Sequence, residues 1–361
     1  MSELPIFTNW HENFGALWGQ QPICVDHRLH QSPLFSRQEL TKLIENYPRT
    51  HYSIIHMGEQ GTDRRFWREG DLGALTGEEV FEAVANGRLW LNLRRVNQVD
   101  GRYGDLLKQL FGELNERIGL ASFNENAGIL VSSPKAQVYY HADLPAQMLF
   151  QLMGHKRVMF YPAQKPFIAP EHLEHIAVAN AEVDIPYSEW YDEYARTFEF
   201  AAGQMVQWPH TAPHRVENYD SLNVSMTVEY STSATRRNYI VNLANGILRY
   251  QMGWTPRSRA LSGPSFLAKA VLGKTCVTAA GSKRSRGSKS SSGSIGKSWG
   301  RSSIWPRERE RDRASFTVRY RNDRRSGRCR RGNVRGARRV DGAVVHRCRR
   351  PRALEPAIAL A

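Results

Sequence analysis

Gln137-Val138-Tyr139-Tyr140-His141-Ala142-Asp143 is the stretch on which the reading of this chain turns. A β-favouring run leads into a histidine and an aspartate two positions apart, and in an extended strand residues i and i+2 share a face. Further on comes Trp208-Pro209-His210-Thr211-Ala212-Pro213-His214-Arg215-Val216. Two imidazoles and one carboxylate make the set that holds non-haem Fe(II) on one face and leaves the opposite positions open. The candidate ligands are His141, Asp143 and His214, with His210 as a rival for the third place. A His-x-Asp alone is a weak pattern, and a lone histidine is more often a hydrogen-bonded structural residue. His214 lies 71 residues after Asp143, so the fold has to deliver it. A double-sheet β core would do so if the second ligand strand pairs beside the first.

The surroundings are β-rich. Ile129-Leu130-Val131, Gln137–Tyr140, Met148–Met153 and Arg157–Tyr161 read as short strands, with Gly154-His155 as a tight hairpin turn between the last two. Phe198-Glu199-Phe200 leads into Gly203–Trp208. Asn223–Tyr230 alternates: Val224, Met226, Val228 and Tyr230 share one face, and Asn223, Ser225, Thr227 and Glu229 the other. The first face should meet the core and the second could line a polar pocket. Ile240–Met252 reads as a helix packing back on the body. Many short strands with Gly and Pro punctuation predict a sandwich or barrel. The expected fold is therefore mainly β with flanking helices (α+β), around a jelly-roll core whose mouth is a natural ligand site.

Residues 1–125 read as a mixed α/β elaboration. Pro22–Val25 suggests a short strand. Ser36-Arg37-Gln38-Glu39 has the form of a capping box, followed by Leu40, Leu43 and Ile44 at helical spacing. His51–Met57 and Leu89–Leu93 read as strands. Thr76-Gly77-Glu78-Glu79 opens a second helix. Leu106, Leu107, Leu110, Phe111 and Leu114 mark a third, ended by Gly119. Trp67, Trp90 and Trp208 fit the core or a pocket wall.

Charge is unevenly spread. Of 50 Lys+Arg and 35 Asp+Glu, residues 283–361 hold 24 and 6, which leaves 26 and 29 for residues 1–282. A mildly acidic body gives no electrostatic footprint for nucleic acid. The tail from 283 has Arg, Ser and Gly in place of apolar residues, with no Leu before Leu354. It reads as a disordered basic tail, or as the composition of GC-rich DNA read out of frame. Nucleic-acid binding is expected only if that tail is genuine. Residues 256–282 connect it to the core, placed at 126–255. Four cysteines without close pairs make a disulfide framework or cysteine zinc site an unlikely design. No secretory leader or membrane-spanning run is read, and a cytoplasmic location is expected.

Lys156 stands 15 residues after His141, in Gly154-His155-Lys156-Arg157-Val158-Met159-Phe160-Tyr161-Pro162. Together with Ile129–Pro134, His141-x-Asp143 and the Trp208–His214 stretch, this resembles the JmjC/cupin-like Fe(II)- and 2-oxoglutarate-dependent oxygenases over roughly residues 20–255. That order runs from His-x-Asp through Gly-x-Lys and an aromatic-Pro pair to a Gly-Asp-like turn and the distal histidine. Here Gly203-Gln204 departs from Gly-Asp, which alters only a turn. The resemblance implies a double-stranded β-helix with His141, Asp143 and His214 on iron. It favours His214 over His210, because Val216-Glu217-Asn218 follows His214. It assigns Lys156 to the far carboxylate of 2-oxoglutarate, with Gln147 and Thr227 as further cosubstrate contacts. A dicarboxylate taken from water needs a fixed cation, and Arg157 next door should face the other way. The implied activity is oxygen-dependent hydroxylation, or demethylation through it, with release of succinate and carbon dioxide. The substrate would be a protein, peptide or small molecule, and the protein a possible homodimer through helices after the core. The rival expectation is a non-enzymatic cupin-like binding module.

Overall fold

The computed structural model describes residues 4–57, 67–180 and 184–273, with two short tail strands, Phe316–Thr317 and Val345–Arg347. The expected disorder of residues 283–361 otherwise concerns positions outside the described residues. Among the described residues no helix is long and apolar enough to cross a membrane.

The N-terminal part supplies strands β1 (Phe7–Asn9), β2 (Ile23–His27), β3 (Tyr52–His56), β4 (Arg68–Asp71) and β5 (Leu89–Leu93). Between them lie helices α1 (Phe14–Leu17), α2 (Arg37–Glu45), α3 (Gly77–Asn86), α4 (Val96–Val99) and α5 (Gly101–Ile118). The start signals read from sequence have physical counterparts. Ser36 accepts from the Glu39 amide at the head of α2, although Glu39 turns its own carboxylate to Lys42 and Arg102 rather than closing a box. Thr76 and Glu79 do form a reciprocal capping box on α3. Gly119 ends α5 at φ 65°, the left-handed conformation that suits glycine.

Eight strands follow: β6 (Phe123–Ser132), β7 (Gln137–His141), β8 (Ala146–Met153), β9 (His155–Phe160), β10 (Arg196–Ala201), β11 (Gln204–Gln207), β12 (His214–Asn218) and β13 (Asn223–Ser231). They divide four and four between two sheets. One runs β1-β2-β11-β8-β13-β6-β5-β3-β4, and the other β10-β9-β12-β7. Every pairing among the eight is antiparallel. Eight antiparallel strands shared between two facing sheets in this order make a jelly roll, or double-stranded β-helix, as the sequence led us to expect.

One detail is corrected. Gly154-His155 is not a hairpin turn, because β8 and β9 belong to different sheets. Gly154, at φ 82°, turns the chain from one sheet to the other. A Cβ there would lie 2.4 Å from the Leu222 carbonyl oxygen.

The alternation of β13 divides as read. Val224, Met226, Val228 and Tyr230 enter a core with Met148 and Phe150 of β8 and with α2, α3 and α5, through Leu40, Val80, Phe81, Leu107 and Leu110. The facing surfaces of the two sheets enclose a second cluster: Leu149, Val158, Phe160, Phe198, Phe200, Val206 and Trp208. A third lies on the outer face of the smaller sheet, where Tyr140, Met159 and Tyr161 meet α6 (Pro170–Ala179) through Leu173, Ile176 and Ala177. The C-terminal helix begins earlier than the 240–252 span read from sequence. α7 runs Ser233–Gly246 behind a Thr232–Thr235 cap and continues as one π-turn over Ile247–Gln251. Cys24 is disulfide-bonded. The other cysteines, Cys276, Cys329 and Cys348, all lie outside the described residues.

Candidate metal centre

The register of the smaller sheet makes the site. β12 pairs β7 with His214 directly opposite His141. Cross-strand partners lie close enough to share an ion, and the two rings sit 4.2 Å apart between centroids. Asp143 does not lie within β7, as an unbroken strand would have it. The strand ends at His141, and Asp143 is carried by the loop that leads to β8. Its Oδ2 nevertheless lies 3.8 Å from His141 Nε2 and 3.5 Å from His214 Nε2. One potential ligand atom from each of the three residues falls within 4.8 Å of the others.

The second ring nitrogens decide what these atoms are. His141 Nδ1 is 2.7 Å from the Tyr139 carbonyl, and His214 Nδ1 is 3.1 Å from the Ala212 carbonyl. A carbonyl only accepts, so both Nδ1 atoms carry hydrogen and donate. In a neutral imidazole that leaves a bare lone pair on Nε2, aimed at the Asp143 carboxylate. Burial, helped by His141, holds the His214 imidazole well below the ordinary range and so neutral. Two lone pairs converging on a carboxylate repel one another unless a cation stands between them. The donor set therefore fits a divalent ion such as Fe(II).

His210 is not part of the set. Its Nε2 lies 2.6 Å from the Leu144 carbonyl, which braces the loop that carries Asp143. Trp208 and Phe160 wall the His214 ring, at 4.9 and 5.9 Å between centroids. Trp67 packs edge-on to Trp90 and tilted against Tyr139.

Lys156 lies on β9 facing between the sheets, opposite Asn218 of β12. Only 3 % of it is exposed. Its Nζ donates to Ser225 Oγ at 2.7 Å, and Ser225 donates to Gln151 Oε1 at 2.7 Å. No carboxylate among the described residues pairs with it. Desolvation alone lowers it from the ordinary lysine range to about 7. A 40 Å³ cavity adjoins it, lined by residues including Met57, Leu130, Ser132, Leu149 and Asn218. Arg157 faces the other way, onto Glu217. Gln147 is buried on β8 opposite Glu229, and Thr227 lines a polar basin with Asn92 and Glu229. Neither touches the lysine.

Glu229 was read from sequence only as a polar-face residue of β13. Burial, with Asp143 nearby, pushes its carboxyl up to about 7. Its position on the same face as Ser225 and Thr227 was the available signal; its depth was not.

No family model matches the chain, and no curated protein sequence matches it. Among solved structures it is similar to YcfD of Escherichia coli, at 15% identity and a TM-score of 0.45, over 75% of this chain and 68% of that one. A structure of YcfD described as a ribosomal oxygenase in complex with cobalt and 2-oxoglutarate gives the same identity and score, over 76% and 68%. The succinic acid complex of YcfD gives 16% and 0.41 over the same shares. At this identity and score the chemistry of the site has to come from its own residues.

Proposed function

We propose that this chain is an Fe(II)- and 2-oxoglutarate-dependent dioxygenase, acting as a hydroxylase. One observation carries the reading: on paired strands, two imidazole lone pairs and a carboxylate converge on one point. His141, Asp143 and His214 would hold the metal on one face. When bound, the metal and its keto-acid cosubstrate supply the oxidising power for hydroxylation, with succinate and carbon dioxide as products.

The protein supplies position and charge. Lys156 is a buried ammonium without an anionic partner, on the same inner surface as the triad, so it attracts the far carboxylate of a dicarboxylate. Ser225 holds the lysine in place and is itself held by Gln151. Gln147 and Thr227 would add polar contacts to the cosubstrate in this reading. The 40 Å³ cavity holds only a few water molecules by volume, so a five-carbon diacid needs a wall to yield. Met57, unbranched, is the wall best able to do so. Trp208 and Phe160 keep water from the His214 side. Residues 126–255 form the catalytic core in this reading, and residues 1–125 brace the larger sheet from behind. A cytoplasmic, reducing setting is proposed for an enzyme whose iron must stay ferrous, and there the Cys24 disulfide would be opened.

The test is anaerobic. Fe(II) and then 2-oxoglutarate are added to the purified protein, and the weak visible charge-transfer band of a chelated keto acid is sought. The band should appear, vanish in His141→Ala and need far more 2-oxoglutarate in Lys156→Met. A folded, iron-loaded protein that shows no band at any 2-oxoglutarate concentration would end this reading and leave a binding module.

A further inference from the structure

Two open basins meet beside the triad. One, of about 810 Å³, is lined by Asp143, Leu144, Ile176, Asn180, Thr235 and Arg236, among others. The other, of about 730 Å³, extends past Thr227 and Asn92 to Arg94 and Thr50. Arg95, Asn126, Asn180 and Glu229 line both. Resting on the metal-centre reading above, we propose that this groove receives its substrate as an acidic polypeptide segment, whose carboxylates are held by Arg95 and Arg236.

The argument begins with unspent charge. Arg37, Arg49, Arg102, Arg117, Arg157, Arg215, Arg249 and Arg259 each lie within ion-pair distance of a carboxylate. Among the described residues the arginines of the groove do not, nor do Arg28, Arg196, Arg237 and Arg257, but those of the groove are gathered around two adjoining basins. Arg94 donates to the Thr50 and Tyr52 carbonyls at 3.4 Å. Arg236 lies over the Phe123 ring, 5.7 Å from its centroid, which leaves its N–H edge for a ligand. The Arg95 guanidinium has no hydrogen-bond or ion-pair partner among the described residues. Among the described residues the carboxylates in the lining are Asp143, a member of the metal set, and Glu229, which stands between Asp143 and Arg95 in electrostatic terms. The rim of the groove thus carries cationic charge on a body whose overall charge is slightly negative.

A second observation is the backbone of Arg95. It sits at φ 57°, ψ 41°, a left-handed conformation that an arginine rarely adopts. Its carbonyl accepts from the Gln98 and Val99 amides, so the turn into α4 fixes it there. A strained arginine that projects into two basins beside a reactive centre has the character of a ligand clamp. Guanidinium forks match carboxylates in two-point contacts. Asn92, Asn124, Asn126 and Asn180 add carboxamides that donate and accept, as peptide groups require. Each basin alone has the volume of a small-molecule site, and together they form a trough long enough for an extended segment.

The experiment uses the full chain with Mn(II) kept below the protein concentration and 2-oxoglutarate in excess. Bound Mn(II) is paramagnetic and speeds proton relaxation only in ligands that come close to it. The probe is a hexaglutamate peptide, set against hexalysine and the single residue N-acetylglutamate amide. Hexaglutamate should be relaxed, with an affinity that falls at least tenfold in the double variant Arg95→Asn, Arg236→Gln and weakens steeply with salt. Asn tolerates the left-handed backbone at 95, and an unchanged thermal midpoint will show that the variant folds. Peptide held by the basic tail rather than the groove would keep its affinity in the double variant, and that result overturns the proposal. Relaxation of hexalysine instead makes Glu229 and Asp143 the readers of a cationic substrate and also overturns it. Equal relaxation by N-acetylglutamate amide overturns the polypeptide part. If Mn(II) does not bind, the metal-centre reading itself falls, which the manganese resonance signal reports separately.

Discussion

Lys156 is where stability and function pull apart. Its proton is held less tightly in the folded chain, at about 7, than in an unfolded one near 10.5. Below pH 7 both states are charged and the folded state bears the full cost of a buried ammonium. As pH rises from about 7 to 10.5 the unfolded chain holds the extra proton, so stability rises across that window. At 1.36 kcal/mol per unit the cost is on the order of 5 kcal/mol, an upper figure. Urea unfolding of the metal-free protein should therefore show stability increasing with pH through this range. Lys156→Met, near in shape and uncharged, should be more stable below pH 7 by roughly 2–4 kcal/mol and lose that slope. The same variant should need about 100-fold more 2-oxoglutarate, the worth of a charged hydrogen-bonded pair. A destabilised Lys156→Met would show that the lysine serves packing instead. His210 calls for a different outcome. Its bond to the Leu144 carbonyl braces the Asp143 loop, so His210→Phe should weaken metal binding roughly tenfold, as loss of an outer support does. Competitive titration against a chelator measures this.

At the scale of elements, two glycine and cap positions set local geometry. Gly154→Ala puts a Cβ against the Leu222 carbonyl at a positive φ, so a loss of about 3 kcal/mol is expected in chemical denaturation. Thr76→Ala removes one half of the α3 capping box and should cost about 1 kcal/mol. These elements also show what the sequence could convey. Asn223–Tyr230 was legible because alternation is local: every second side chain had to be apolar for β13 to lie on the helical core. The β8–β9 connection was not, since a glycine turn looks alike whether the next strand pairs beside the last one or crosses to the facing sheet. α6 escaped notice even though Pro170 and Glu171 mark its first turn, because Leu173, Ile176 and Ala177 make only a short apolar stripe. Of the site, the ligand types were legible in His141-x-Asp143 and His214, and the lysine only through the resemblance. Asp143 leaving the strand, the opposition of His141 and His214, and the gathering of Arg95 with Arg236 depend on register and loop closure, to which no local pattern corresponds.

At the scale of the whole molecule, the described core ends at residue 273, and the clusters that hold it lie within residues 6–243. A chain truncated after Ser282 should keep its thermal midpoint to within about 2 °C and its metal site intact, since it retains all three buried apolar clusters. A collapse of the midpoint would give the tail a structural part. Metal should raise that midpoint in both forms, by about 2.7 kcal/mol of added stability at a hundredfold excess over its dissociation constant. The opposition of His141 and His214 across β7 and β12 bears also on how this protein is made. The two histidines are 73 residues apart in the chain, and between them run four strands and a helix. During synthesis, a chain that has emerged only as far as β11 owns one imidazole, one carboxylate and nothing to close them. Iron handed over at that moment would find a loose two-point grip, so the fold admits its metal only after β12 has slid in beside β7. The ion then pins the second and seventh strands of the roll together, a late-set rivet rather than a seed.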